Sequence, residues 1–527
     1  MRNFLLVILA VFSISTFNAQ EDFVFDTLDI NDVVAPVYAG GPYFMNPFNA
    51  AADYAVNSDI KVIYACSPWV AGLDDDDNLH VSAETFRMPC NPQGDIPAGI
   101  DYWSGPKANT YDELYDSRFY KIWKIDQSEI DYHLNNYANA GYEAPDDFLT
   151  WPGNGDVSNG EPEQLAPYYD MNNNGLYEPL EGDAPMIKGD QALYMITTDA
   201  REENTFSDGE VLGIDIHFTF YTIACPAYEI PQVNETTFIN MRVVNRSNNN
   251  YHDLYVGNWT DFDIGTANND YLGTAPEQNL QYAYNASQLD LPSMSSQGFG
   301  LNSAACGLMY LNHSLAHSMT YNNGASLISG EPTEPIHYYN YIRTLYKDGT
   351  PFIDQDGNNT NYIFSDSPTN DNGWSELTEN NPGADRRGIA SIGPVNLNGS
   401  EEIDVDFAII YARGEYDNDS LGHLLNVDQL IDNAEQIQLY YDGQTSCSTI
   451  ETDNIEGSYL SVYPNPSIGV INVTSTIPGV LDIYNLRGQL VHSENVVGNR
   501  TTVDVSEFAS GLYFIRQGGE TIQFVKE

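Results

Sequence analysis

Apolar and polar residues alternate along much of this chain, and Gly, Pro, Asn and Asp clusters break the alternation at short intervals. The run Ile214-Asp215-Ile216-His217-Phe218-Thr219-Phe220 puts apolar residues at every second position, which predicts a strand with one buried face. Val62-Ile63-Tyr64, Ala192-Leu193-Tyr194-Met195-Ile196 and the stretches 214–223, 237–244 and 405–411 are β-branched and aromatic, and read as further strands. Helical spacing is rare. Over 421–440, Leu424, Leu425, Val427, Leu430, Ile431, Ala434, Ile437 and Leu439 recur every three to four positions, with Ser420 as the expected cap. A weaker helix is expected over 128–138. No fixed repeat runs through the chain. The pattern predicts an all-β protein, mainly a β-sandwich body with few helices.

The two ends differ from the body. Arg2 precedes an uncharged apolar run over 4–12, and Phe17-Asn18-Ala19 follows, the plan of a cleavable signal peptide spanning 1–19. The run is too short to span a bilayer, and no cysteine lies near the expected cut after Ala19, so a lipid anchor is not expected. At the far end, Asp482-Ile483-Tyr484, Leu512-Tyr513-Phe514-Ile515 and Ile522-Gln523-Phe524-Val525 are strand-like and are punctuated by Gly488, Gly498, Gly511 and Gly518-Gly519. That spacing suits a small Ig-like β-sandwich of about seven strands over 458–527. Between body (20–441) and tail, residues 442–457 are polar, acidic and aperiodic, and read as a linker.

Three tail motifs carry a resemblance. Tyr463-Pro464-Asn465-Pro466, Asn485-Leu486-Arg487-Gly488-Gln489 and Ser510-Gly511-Leu512-Tyr513 occur in order and at matching spacing. The segment resembles the type A C-terminal sorting domain of the type IX secretion system of Bacteroidota. The resemblance implies passage across the outer membrane, the type IX machinery as partner, and a secreted or cell-surface destination. Body segments such as SPWVAGLDDDDNLHVSAETFR from Ser67 and DMNNNGLYEPLEGDAPMIKGDQALYMI from Asp170 are also similar to those of a broad group of exported Bacteroidota proteins with this tail. That likeness implies no enzymatic activity.

Charge narrows the partners. Asp and Glu number 75 against 20 Lys and Arg, a formal net charge of −55 over 527 residues. A phosphate backbone or an anionic membrane surface is repelled by such a chain. The acids are dispersed and 42% of residues are hydrophobic, so the chain is a folded acidic protein. No later stretch approaches eighteen apolar residues, and no membrane span is expected. Cys66, Cys90, Cys225, Cys306 and Cys447 contain no C-x-x-C pair, which removes the local zinc and redox motifs. Export permits disulfides, Cys66 and Cys90 are the nearest pair, and an odd count leaves at least one thiol free.

Dense acids have two readings, a surface adapted to salty surroundings and a set of divalent-cation sites. Residues 170–181 fit the calcium-loop pattern D-x-[DN]-x-[DN]-G-x5-E. Asp170, Asn172 and Asn174 offer side-chain oxygens, Leu176 its carbonyl and Glu181 a closing carboxylate, while Gly175 permits the tight turn. Pro167, Pro179 and Pro185 argue against flanking helices, so a structural calcium site is expected, with an ordinary Asn-rich turn as the alternative. Asp261, Asp263 and Asp270, and the run Asp354-Gln355-Asp356-Gly357-Asn358, are weaker cation candidates beside plain turn chemistry. Asp74 to Asp77 reads as a solvated hairpin tip. His313 and His317 have the spacing of H-E-x-x-H, but Ser314 replaces the base, and the alternation of Leu311, Leu315 and Met319 would set both rings on one strand face. Asp385-Arg386-Arg387 reads as an internal ion-pair clamp.

No catalytic residue can be chosen. G-x-S-x-G is missing, and 75 acids make a glycosidase pair impossible to pick. The expected function is a non-enzymatic surface, adhesion or binding protein with structural calcium. The alternative is a carbohydrate-active module, whether sugar binding or glycoside hydrolysis, since 37 Tyr and 6 Trp could also build a stacking platform.

Overall fold

The computed structural model describes residues 23–46, 51–52, 54–85, 99–225, 230–293, 296–324, 327–414, 416, 421–447, 460–463, 467, 469–475, 479–485, 487, 489–496, 500–517 and 520–526. The proposed signal peptide, Cys90, Ser420, most of the proposed linker and Pro464-Asn465-Pro466 lie outside them. The chain divides into two compact units, Met1–Cys447 and Ser448–Glu527. Among the described residues no helix is long and apolar enough to cross a membrane.

Two antiparallel sheets build the first unit. One follows the order Phe25–Leu28, Val33–Tyr38, Tyr54–Val56, Lys61–Leu73, Tyr251–Phe262, Arg386–Leu397, His317–Asn322, with Leu79–Ala83 also paired to Lys61–Leu73. The other runs Asp270–Ala275, Leu280–Asn285, Ala305–Tyr310, Glu402–Ala412, Thr237–Asn245, Ile214–Thr222, Gln191–Thr198, Trp103–Ser104, with Trp123–Asp126 also on Gln191–Thr198. The expected strands are therefore present. Their inner faces share one core: Val70 and Val256, paired across the first sheet, pack with Ile216, Phe218, Ile239, Met241, Phe407 and Ile409 from the second. This is a β-sandwich.

The second sheet is buried on both faces, which corrects the one-sided reading of 214–220. Outward-facing Phe238, Tyr221, Ala408, Ile410 and Ala412 meet the helix Gly422–Tyr441 through its Leu424, Val427, Leu430, Ala434 and Ile437. The periodic residues thus form the stripe that the sequence predicted. Two polar residues on that stripe dock the helix: Asn426 donates to Ser303 O and accepts from Gly414 N, and Asn433 donates to Tyr411 O. Further along the sheet, Tyr194 and Ile196 face a separate cluster of Tyr115, Phe119, Trp123, Phe148 and Trp151. That excursion carries the weaker helix, observed at Gln127–Asn136.

Covering the polar positions of this strand has an electrostatic cost. Asp215 is fully buried, accepts from Lys107 N at 2.6 Å and lies 3.6 Å from Arg246 Nε. Burial outweighs these partners and pushes its carboxyl up to about 7. Asp101, which accepts from the amides of Ala83, Phe206 and Ser207, is pushed up to about 6 by the same cause. An acid whose folded pKa exceeds its unfolded value favours the native state below the unfolded carboxylate range, and that contribution is lost as pH rises through the folded value. The melting temperature should therefore fall between about pH 4 and about pH 7. Asp215→Asn should flatten that slope, and a wild-type melting temperature that rises over this window would contradict the assignment.

The second unit packs Leu460–Tyr463, Val470–Ser475 and Arg500–Asp504 as one sheet, and Leu490–Val496, Gly479–Asn485, Gly511–Gln517 and Glu520–Lys526 as another. Ile471, Val473, Leu481, Ile483, Val503, Tyr513, Ile515 and Phe524 fill the space between them. It is the small Ig-like sandwich expected from the tail sequence.

Candidate functional site

The Asp170 loop grows from a short ladder in which Tyr168 and Tyr169 pair with Pro185 and Ala184. Proline at 179 opens a single 3-10 turn, Pro179–Glu181, closed by Gly182 at φ +107°. Among the described residues no α-helix directly flanks the loop in sequence, as the prolines implied. Within it, Asp170 Oδ1 and Asn172 Oδ1 both accept from Asn174 N, at 3.2 and 3.0 Å. Asp170 Oδ2 accepts from Gly175 N at 2.8 Å, and Asn174 Oδ1 from Leu176 N at 2.8 Å. Gly175 has φ +80°, a conformation that a side chain would strain.

These bonds bring Asp170, Asn172 and Asn174 together. Leu176 and Glu181 are exposed, and among the described residues no side-chain hydrogen bond ties Glu181 to the other three. Two residues beyond the expected set hold the loop. Asn174 Nδ2 donates to Glu178 Oε2 at 2.5 Å. Buried Asp183 accepts from Met171 N at 2.9 Å and from Glu178 N at 2.7 Å, tying the two ends together. The only sequence signal for Asp183 is an acid placed directly after the turn glycine Gly182.

The other candidates separate. Asp74 stands at the hairpin tip between Lys61–Leu73 and Leu79–Ala83, accepting from Asp76 N and Asn78 N, and hydrogen bonds hold its carboxyl below the usual range. Asp354 forms the same turn with the amides of Asp356 and Asn358. His313 and His317 do not share a strand. His317 opens the strand His317–Asn322, while His313 lies in the preceding turn with Nε2 2.8 Å from Asp404 O. Burial pushes the His317 imidazole down to about 4, and it faces Thr344 Oγ1 at 3.3 Å.

Asp385-Arg386-Arg387 forms the expected clamp. Arg386 pairs with Glu376 at 2.5 Å, both almost wholly buried, and also donates to Pro382 O. Arg387 pairs with Asp385 and with Asp261, the latter at 3.2 Å. Asp261 and Asp263 approach Asp385, whereas Asp270 uses Oδ2 to accept from Ile264 N at 3.1 Å. The cysteines pair as Cys225–Cys447, while Cys66 and Cys306 are free and buried.

In the second unit, the turn motif works as its residue types imply. Asn485 Oδ1 accepts from Arg487 N at 3.0 Å and Gln489 N at 3.1 Å, closing the loop between paired strands. No curated protein matches the chain. Among solved structures, a polysaccharide lyase aligns at 10% identity and TM-score 0.18 over 59% of this chain and 33% of its own. A lysyl oxidase from Pichia pastoris aligns at 9% identity and TM-score 0.27 over 72% of this chain and 51% of its own. An amine oxidase from Aspergillus nidulans aligns at 10% identity and TM-score 0.25 over 75% and 53%. The chain spans from a third to about half the length of these proteins. Residues 461–527, by contrast, match the family described as the secretion system C-terminal sorting domain, and this unit is the type IX sorting domain of an exported protein.

Proposed function

We propose that the protein is a non-enzymatic surface, adhesion or binding protein, delivered through the type IX system after removal of its signal peptide, whose β body is braced by structural calcium. The sorting unit at residues 461–527 carries the export half of this reading. The calcium half is supported by Asp170, Asn172 and Asn174, whose oxygens are already oriented by backbone amides. A loop ordered before the ion arrives loses little freedom on binding. A base of paired strands also suits a brace better than a sensor that opens between helices.

Binding to the native state alone stabilises by RT ln(1 + [L]/Kd), about 2.7 kcal/mol at a hundredfold excess over Kd. Chelator should lower the melting temperature of the full chain, and Asp170→Ala should remove most of the loop's share. A melting curve unmoved by chelator and by added calcium would leave the loop an ordinary turn.

A carbohydrate-binding reading is favoured by a cavity of about 260 Å³ lined by Tyr346, Phe352, Phe364, Glu376 and Arg386. Its aromatic faces suit a sugar ring. Glu376 there is paired with Arg386, while burial still pushes its carboxyl above the usual range.

A further inference from the structure

Arg387 lies where four carboxylates gather. The strand Arg386–Leu397 sets it opposite Asp261 on one neighbour and Tyr321 on the other. Its guanidinium reaches Asp261 Oδ2 at 3.2 Å, Asp385, and Glu331 Oε1 at 3.8 Å. Asp263 follows at the end of the Asp261 strand, held there by its own amide, which donates to Val62 O. One oxygen each from Asp261, Asp263 and Asp385 lies within 4.8 Å of the others. Asn323 Nδ2 reaches Asp385 Oδ2 at 3.4 Å, and Lys347 donates to the Glu331 carbonyl oxygen.

A second observation separates this group from an ordinary acidic patch. Asp261 is 3% exposed, and its Oδ1 is buried without a hydrogen-bond partner. With Oδ2 taken by Arg387, Oδ1 is the oxygen left for the cluster. A buried carboxylate oxygen normally has a donor, because removing it from water otherwise goes uncompensated. One guanidinium cannot neutralise the group, and the neighbouring carboxylates repel one another.

We propose that Asp261, Asp263 and Asp385 form a second cation site, with Asp261 Oδ1 as its buried ligand. The donors are all carboxylate oxygens, without His or Cys, which selects a hard divalent ion such as calcium. Arg387 then acts as a positioning residue that fixes Asp261 and Asp385. The ion would tie the end of Tyr251–Phe262 to the start of Arg386–Leu397, at the crossing toward the strand Asp270–Ala275 of the other sheet.

The site is separate from the Asp170 loop, and variants can tell them apart. Full-length protein is stripped with chelator and titrated with calcium by calorimetry, with a parallel thermal melt. Asp263→Asn should lose one bound calcium per chain relative to the parent, Asp385→Asn should lose the same one, and either combined with Asp170→Ala should lose a further one. In chelator, Asp263→Asn should melt no lower than the parent, which shows that the fold survives. An unchanged stoichiometry in both Asp263→Asn and Asp385→Asn overturns the site, whatever Asp170→Ala does. Loss of all calcium response in Asp170→Ala alone overturns it as well.

Discussion

A chain lacking residues 459–527 should fold its body and fail to reach the cell surface or the medium. The body keeps its sandwich core and its disulfide without that segment, because Met1–Cys447 forms a compact unit of its own. The tail likewise has its own core of Ile471, Val473, Leu481, Ile483 and Phe524. Removing it should leave the stability of the body almost unchanged while abolishing export. Fractionation of cells that express the truncated chain, read by immunoblot, checks this. Truncated protein in the medium at the full-length level would show that the sorting unit is not the export signal. Transplanting residues 459–527 onto an unrelated periplasmic protein should move that protein outward.

The second large effect is expected at Cys225 and Cys447. The bond joins positions 222 residues apart and fastens the segment after Ile214–Thr222 to the chain just beyond the helix Gly422–Tyr441. Closing so long a loop restricts the unfolded chain strongly, and losing it should cost about 2–5 kcal/mol. Cys225→Ser and Cys447→Ser should each lower the denaturant midpoint, and the double variant should be no worse than either alone. Additive losses would mean that the cysteines contribute by packing rather than through the bond.

The strands were legible because β-branched and aromatic runs lie between turn residues. The helix was legible because Leu424, Val427, Leu430, Ala434 and Ile437 share one stripe. The tail was legible from its ordered motifs. What covers the second sheet was not. Asp215 and His217 look like solvent positions in Ile214–Thr222, yet both are buried, and nothing local to that strand signals it. The acidic cluster was half legible. Asp261 and Asp263 lie two apart in sequence, but Asp385 takes the place of Asp270 because the antiparallel pairing of Asp261 with Arg387 brings the neighbouring Asp385 alongside. The disulfide was out of reach, since cysteine spacing does not encode connectivity.

The strand pairing also sets an order of events during synthesis. Tyr251–Phe262 lies between Lys61–Leu73 and Arg386–Leu397, and Glu402–Ala412 lies between Ala305–Tyr310 and Thr237–Asn245. Neither sheet can close until nearly the whole body has emerged, and such non-local pairing folds slowly. The helix Gly422–Tyr441 and Cys447 come after the last of these strands, so the helix can dock only on strands that all precede it in the chain. The sorting domain is made later still. The sorting domain follows every strand of the body, so only a chain in which the whole cargo has been made carries the type IX signal.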